Sequence, residues 1–339
     1  MLHDTRDGMT SASALLQLLD LASRSPSSHN AQPWILARTG ELRLVLRSEP
    51  RRWLLKVDPS YRELLLSFGT FIETLRQAAP AVGYRSDLEV LADRADASDI
   101  AQIDLEATPA VSSTAPALIR SRATTRTPFP PVELPSNEVA QILDLDRSAL
   151  SFASRQSSQG RWLADATGEA FAQQVWDDGK QAELAQWLRF SRREVRRRGD
   201  GLTPEALGLP ALGRAIWYST FTPRQALRPS FRKSSIKVAQ RQLEGCAGFL
   251  LVTSADRSVG ALLEAGALYQ RALLRATDLG VAHHTMSYAL EEDPWHQEID
   301  SAVQSQRPIQ FIVRIGRARR LARPSVRRPA VSFLDDRTA

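Results

Sequence analysis

The densest group of polar side chains in the sequence is the segment Arg24–Trp34, which reads R-S-P-S-S-H-N-A-Q-P-W and is called the polar loop below. It follows an amphipathic helical pattern and precedes a predicted strand. Its two prolines fix φ, and the hydroxyl, amide and N–H groups between them suit a phosphate or a polar cofactor. A capped turn anchored by a buried Trp34 would explain the same residues. Composition alone leaves both interpretations open.

Two further segments carry arginines that could bind an anion. Residues 120–129 read R-S-R-A-T-T-R-T-P-F, and residues 323–329 read R-P-S-V-R-R-P. Guanidinium groups bind phosphate through paired, charge-assisted hydrogen bonds. Taken alone, however, the first segment is better explained as an exposed linker and the second as a basic tail.

The sequence offers little for catalysis by a protein nucleophile. Its histidines are His3, His29, His283, His284 and His296, and it contains no G-x-S-x-G motif. The single cysteine, Cys246, begins an apolar strand, where we expect an unreactive buried thiol. The adjacent pair His283–His284 lacks the helical spacing of a zinc site, so no metal site is predicted. The reactive group is therefore expected to be a cofactor.

Composition indicates a globular protein. The 339 residues are 43% hydrophobic, and 44 basic residues against 38 acidic ones give a net charge of +6. The densest basic run, 192–198, is interrupted by an acid and lacks aromatic residues, so it predicts a solvated helix rather than a nucleic-acid surface. No stretch is apolar for long enough to span a membrane. We expect a cytoplasmic protein with no nucleic-acid or membrane partner.

The sequence contains an internal duplication. Residues 69–83 (GTFIETLRQAAPAVG) and 266–280 (GALYQRALLRATDLG) both run from Gly to Gly with a helical apolar period. Shorter helical patterns at 15–21 and 139–145 precede them, and predicted strands lie at 41–47, 247–253 and 308–315. We predict two halves, 1–110 and 111–339, with a linker near 107–116.

The second half contains a segment without a counterpart in the first. Residues 180–235 have a helical, arginine-rich pattern and are predicted to form a lid or an interface arm. Within this insertion, Thr203 and Pro204 predict the beginning of a helix.

Taken together, these motifs resemble the FMN-dependent nitroreductase family. P-S-S-H-N-A-Q-P-W at 26–34 is similar to the family's P-S-x-x-N-x-Q-P-W loop, and R-A-T-T-R-T-P-F at 122–129 to its R-x-S-x-[RK]-x-F signature. The loop precedes the signature here, an order that resembles the Acg-like branch, in which two halves are fused. The resemblance implies an α+β fold of two nitroreductase-like α/β sandwich halves forming a pseudo-dimer, with one intact FMN site between them and one degenerate site.

The resemblance also implies roles for individual residues. Arg122, Thr124, Arg327 and Arg328 would hold the FMN phosphate, and Arg126 would place a cation near the pyrimidine edge of the flavin. The remaining predicted cofactor-binding residues come from the polar loop and from the segment beside flavin N5, and they are Pro26, Ser27, Ser28, Asn30, Gln32, Met286 and Ser287. That last segment, 284–288, lacks the Pro and Glu usual in the family.

The expected activity is that of an oxidoreductase. NAD(P)H would reduce the flavin, which would reduce a small electron-poor acceptor, either a nitro or a quinone-like compound. The alternative is a lid-covered protein that binds or sequesters FMN with little turnover. Because an internal duplication supplies the interface of a homodimer, we expect a monomer.

Overall fold

The computed structural model describes residues 11–336, so the outer ends of both predicted halves and His3 lie outside the described residues. The helices are α1 Ser11–Ala22, α2 Arg62–Ala78, α3 Ala115–Ser121, α4 Ser136–Leu143, α5 Ser158–Trp176, α6 Asp178–Trp187, α7 Arg192–Arg198, α8 Ala211–Thr220, α9 Pro223–Ala226, α10 Pro229–Glu244, α11 Val259–Asp278 and α12 Trp295–Ala302. The strands are β1 Trp34–Arg38, β2 Arg43–Ser48, β3 Tyr84–Val90, β4 Asp99–Ala107, β5 Leu150–Ser154, β6 Gly248–Thr253, β7 Ala282–Thr285, β8 Ile309–Gly316 and β9 Leu334–Asp335.

The first sheet has the strand order β3-β4-β2-β1-β9. Strands β1 to β4 pair antiparallel with their neighbours, and the C-terminal strand β9 pairs parallel with β1. Buried and half-buried residues alternate from Ala101 to Leu105 in β4, as in a sheet with one solvated face. The other face packs against α1, α2 and α3. The chain therefore returns at its end to the half in which it began.

The second sheet has the order β5-β6-β8-β7 and is antiparallel throughout. One face packs on α4 and α11, and the opposite face packs on α5, α10 and α12. Every residue of β6 is buried because both faces of this sheet are covered. This agrees with the interior strand predicted from its continuous apolar run.

The two halves meet where α2 crosses α11. A methyl group on Gly69 would lie 2.0 Å from the backbone oxygen of Leu263, and one on Gly266 would lie 2.2 Å from that of Leu66. Such distances are far below van der Waals contact, so the two backbones approach this closely only because both residues are glycine. The first glycine of each sequence repeat, Gly69 and Gly266, therefore lies where the two halves contact each other.

The predicted fold class is confirmed: the chain is α+β and consists of two sheet-and-helix halves. The exact division at 110 and 111 stays a prediction, and β9 shows that the C-terminus contributes to the first sheet. The insertion is helical from α6 to α10, as predicted. The helix predicted at Thr203 is wrong, because residues 204–208 form turns and the next helix begins at Ala211. The Thr203 hydroxyl does accept a hydrogen bond from the Ala206 N–H, at 3.1 Å, so it caps a turn instead.

Among residues 11–336, no helix is both long enough and apolar enough to cross a membrane.

Candidate cofactor-binding site

A cavity of about 540 Å³ lies between the two halves and beneath the insertion. The first half contributes the polar loop and the beginning of α2, and the second half contributes the segment after β7 and part of α11. Predicted site residues that line the cavity are Pro26, Ser27, Ser28, Thr124, Arg126 and Ser287. Its volume is typical of a site for a small molecule or a cofactor.

The polar loop has an unusual backbone. His29, Asn30 and Gln32 have φ values of 50°, 55° and 53°, a left-handed region that non-glycine residues seldom adopt. Hydrogen bonds hold this conformation: the Gln32 N–H donates to the Ser27 hydroxyl at 2.9 Å, and the Thr70 hydroxyl donates to the Pro26 oxygen at 2.6 Å. Strain of this kind, held by its surroundings, is characteristic of binding sites.

Two side-chain amides of the polar loop form hydrogen bonds with backbone oxygens of the protein and do not face the cavity. Asn30 Nδ2 donates to the backbone oxygens of Gly201 and Val326, both at 3.1 Å. Gln32 Nε2 donates to the Gly199 oxygen at 2.9 Å. Neither residue lines the cavity. Their side chains join the loop to the insertion and to the C-terminal segment, so both residues position the site.

Arg122 and Arg327 converge on Arg24, the first residue of the polar loop, and the three residues are called the arginine cluster. Their Nη2 atoms both donate to the backbone oxygen of Arg24, at 3.0 and 3.1 Å. Among the described residues, Arg122 Nε and Nη1, Arg327 Nε, Arg24 Nε and the Ser25 hydroxyl have no hydrogen-bond partner. The cavity-lining residues Pro26 and Thr124 follow this arginine cluster within two residues along the chain.

The electrostatics of the arginine cluster are those of an anion site. Burial and the charge of Arg126 lower the pKa of Arg122 to about 10. Burial and the charges of Arg122 and Arg24 lower the pKa of Arg327 well below its usual value. Buried like charges this close together destabilise the protein until a bound anion neutralises them. The cluster thus fits a phosphate, and neither arginine segment is the exposed linker or tail that composition alone favoured.

Arg328 has a different environment from its neighbour. Its Nη1 forms an ion pair with Glu49 at 3.0 Å and also donates to the Gln32 oxygen at 3.0 Å. Its backbone N–H donates to Gln32 Oε1 at 2.9 Å. The guanidinium is therefore committed to protein partners and stabilises the end of the polar loop.

Arg126 and Thr124 face the cavity itself. Arg126 Nη1 donates to the Ala206 oxygen of the insertion at 2.9 Å, and the Gln242 amide donates to the Arg126 oxygen. Thr124 forms an isolated parallel bridge with His283. Burial lowers the pKa of Arg126, which means that the surroundings do not fully compensate its charge. This cation is available to a ligand that carries negative charge.

The segment after β7 forms another wall. The Ser287 hydroxyl accepts a hydrogen bond from the Ile312 N–H at 3.2 Å and lines the cavity. Met286 is 1% exposed and its side chain packs in the core of the second half. Tyr288 lines the cavity and packs on Phe171 with ring centroids 4.5 Å apart.

The insertion covers the cavity and is bound to the first half. Glu183 of α6 accepts hydrogen bonds from the N–H groups of Lys56, at 3.1 Å, and Val57, at 3.0 Å. Asp200 pairs with Arg52 at 2.7 Å. Insertion residues on the cavity wall include Leu184, Leu188, Leu202, Leu207, Trp217 and Phe231. The insertion is thus an apolar roof fixed by polar contacts at its edge.

Sequence reasoning did not identify several cavity residues, notably Glu63, Ser67, Thr70, Tyr269 and Glu291. One signal was present: Glu63, Ser67 and Thr70 recur at i, i+4 and i+7 within residues 63–72 of α2, which are otherwise apolar. That spacing puts all three on one face. No such pattern distinguishes Tyr269 or Glu291, whose positions depend on the contact between the halves.

The chain is similar to curated proteins that are named as NAD(P)H nitroreductases. Acg of Mycobacterium tuberculosis, which is named as an NAD(P)H nitroreductase, is 25% identical over 330 residues, covering 94% of this chain and 93% of Acg. PigM of a Serratia strain, named in the same way, is 32% identical over 146 residues, or 41% of each protein. No protein-family model matches the chain.

Solved structures with detectable similarity are also named as nitroreductases. The FMN-dependent nitroreductase NfnB of Mycobacterium smegmatis, solved in complex with NADPH, is 14% identical over 61% of this chain and 88% of its own, with a TM-score of 0.39. A nitroreductase from Anabaena variabilis is 12% identical over 93% of this chain and 90% of its own, also with a TM-score of 0.39.

Proposed function

We propose that this protein is an FMN-dependent oxidoreductase of the Acg-like type, in which NAD(P)H supplies electrons and a small electron-poor compound accepts them. The observation that supports it most strongly is the arginine cluster, in which Arg122 Nε and Nη1 and Arg327 Nε have no partner among the described residues. The chain leads from this cluster within two residues to the wall of a cavity of about 540 Å³. FMN combines a phosphate with a flat ring system, and these two features of the site match its two ends.

The residues of both halves would divide the binding of FMN. Arg122 and Arg327 would bind the phosphate through their unpartnered N–H groups, with Thr124 beside them. Arg126 would bring positive charge to the ring system. The polar loop would contribute Ser27 and Ser28 from the other half. Asn30, Gln32 and Arg328 would act indirectly by holding the loop, and Met286 by supporting Ser287.

Bound FMN supplies the two-electron chemistry between NAD(P)H and the acceptor, and no protein nucleophile is required. The chain contributes a fixed cationic environment and an apolar roof that excludes water. We propose a nitro or quinone-like compound as the acceptor. A monomeric state and a cytoplasmic location stay predictions.

A second function is favoured by the roof. Because Glu183 and Asp200 fix the insertion over the cavity, entry of NAD(P)H requires contacts at its edge to open. A protein in which they seldom open would bind or sequester FMN with little turnover. Both functions require bound FMN, and they differ only in how readily NAD(P)H reaches it.

The deciding experiment is an anaerobic stopped-flow measurement of the flavin absorbance after purified, FMN-loaded protein is mixed with NADH or NADPH. Rapid bleaching supports the oxidoreductase. Colour that persists with NAD(P)H but is lost with dithionite supports the sequestering protein. A chain that takes up no FMN contradicts both.

A further inference from the structure

Two carboxyl groups from opposite halves meet at the wall of the cavity. Glu63 lies in the first turn of α2, and Glu291 follows the short helical turn Tyr288–Leu290. Both side chains line the large cavity, and each carboxyl shifts the pKa of the other. Two interacting buried carboxyl groups seldom both ionise. We therefore expect the Glu63–Glu291 pair to carry one proton at the edge of the candidate site.

The surroundings place that proton on Glu291. Ser28 Oγ donates to Glu63 Oε2 at 2.5 Å, and Arg62 Nη2 lies 3.3 Å from Glu63 Oε1. Burial opposes ionisation of Glu63, but the interaction with Glu291, the charge of Arg62 and the hydrogen bond from Ser28 outweigh it, so the Glu63 pKa is lowered. Burial and the charge of Glu63 raise the pKa of Glu291 well above its usual value.

Glu291 is also held from the second half. Gln174 Nε2 of α5 donates to Glu291 Oε2 at 2.7 Å. The neighbouring Glu292 is neutralised by an ion pair with Lys180 of α6. The other titratable or charged groups that act on the pair are His29, Asp58, Arg62, Tyr269 and Tyr288. The proton is thus kept in an ordered network rather than in bulk water.

A second cavity, of about 470 Å³, adjoins the large one at Glu291. Glu291 lines both cavities, and Asp58, Arg62 and His296 line the second one. Burial and the charge of Glu63 raise the pKa of Asp58 to about 6, so this carboxyl exchanges protons near neutral pH. The second cavity is therefore a polar route by which Glu291 can recover a proton.

We propose that the Glu63–Glu291 pair donates a proton to the acceptor in the large cavity and is reprotonated through the second cavity. The proposal rests on the proposed function. Reduction of an acceptor adds two electrons and two protons, of which NAD(P)H supplies both electrons and one hydrogen. The other proton leaves the Glu291 carboxyl as its O–H bond breaks and a new bond to the acceptor forms. The carboxylate then recovers a proton that bulk solvent supplies through the second cavity, with Asp58 on its wall.

The test uses the FMN-loaded protein and three variants: Glu291→Gln, Glu63→Gln and, as the control, Glu73→Gln. Glu73 is a buried glutamate on α2 that lines neither cavity and pairs with Arg271 at 3.2 Å. The first readout is the infrared C=O band of a protonated carboxyl at pH 8, compared in H₂O and D₂O. The second is the rate at which dithionite-reduced protein is reoxidised by a quinone.

We expect the band in the unmodified protein and in Glu73→Gln, and its loss in Glu291→Gln. Reoxidation in Glu291→Gln should slow by about 100-fold or more, as for loss of a general acid, while reduction by dithionite is unchanged. Glu63→Gln removes the charge that raises the Glu291 pKa, so the pH at which reoxidation slows should move to lower values.

The outcomes separate this proposal from the function on which it rests. If the carboxyl band persists in Glu291→Gln, or if reoxidation and its pH profile are the same in all variants that retain FMN, the pair is not the proton donor and the proposed function stands. A chain that takes up no FMN overturns both.

Discussion

Arg122 and Arg327 donate to the same backbone oxygen, that of Arg24, at 3.0 and 3.1 Å. The signature segment of the second half and the C-terminal segment thus converge on the polar loop of the first half. Neither arginine could bind an anion in this way alone, because each needs the other chain segment to close the cluster. The candidate site is therefore built from segments of both halves.

The first prediction concerns Arg122. Arg122→Met should weaken FMN binding by about 1.5–3 kcal/mol, the usual contribution of a hydrogen bond to a charged group, or roughly 10- to 100-fold in Kd. Because burial and Arg126 already disfavour the Arg122 charge, the FMN-free variant should not unfold at a lower temperature. Flavin fluorescence titration and thermal melts with and without FMN measure the two effects.

Arg126 supplies the matched comparison. It lines the cavity, whereas Arg122 lies in the arginine cluster. Arg126→Ala should slow flavin reduction by NAD(P)H more than it weakens FMN binding, which is the reverse of the Arg122 result. Equal small effects from both substitutions would show that the cofactor site lies elsewhere.

The second prediction concerns the roof. Glu183→Ala removes the acceptor for the Lys56 and Val57 N–H groups and so loosens the edge of the insertion. We expect bleaching by NAD(P)H to become several-fold faster and FMN to dissociate more readily. Glu205→Ala is the control, because Glu205 contacts Tyr218 within the insertion and not the first half. No change in either rate for Glu183→Ala would contradict a lid that limits access.

Sequence reasoning predicted the two halves because helical periodicity and the Gly-to-Gly repeat are local signals. The long helices begin earlier than the repeat predicts, at Arg62 for α2 and at Val259 for α11. The first turn of α2 carries Glu63, which lines the large cavity, and the first turn of α11 carries Val259 and Leu262, which line the second cavity. The charged residues Arg62 and Glu63 interrupt the apolar period at the beginning of α2, so the local pattern does not mark where this helix begins.

The sequence singles out the polar loop, but composition does not separate the residues that stabilise a turn from those that line the cavity. Trp34 is fully buried against Phe71, as a structural turn requires, and the loop also lines a cavity, as a binding loop requires. Asn30 and Gln32 were expected to face a cofactor, and they bind the insertion instead. Their partners lie about 170 residues away in sequence, where no local pattern connects them.

The third prediction concerns the crossing of α2 and α11. Gly69→Ala and Gly266→Ala each place a methyl group within about 2 Å of a backbone oxygen, so each should destabilise the fold by about 1–3 kcal/mol or more. Gly260 lies on α11 with no atom within 4 Å of the added methyl group. Gly260→Ala should therefore stabilise the protein by about 0.5–1 kcal/mol through helix propensity. Urea unfolding measures all three, and equal values would show that the helices do not cross at these glycines.

The fourth prediction concerns acid stability. His283 is 2% exposed, and neither ring nitrogen has a partner among the described residues. Burial and the charge of Arg122 lower its pKa to about 3, against 6.5 in the unfolded chain, so the unfolded state binds more protons between these values. Stability should therefore fall as the pH drops from 6.5 towards 3, by at most about 1.4 kcal/mol per pH unit from this group. His283→Leu should leave stability at pH 8 nearly unchanged and flatten the acid side of a urea-unfolding series. An acid side as steep as that of the unmodified protein would mean that His283 is protonated in the folded state.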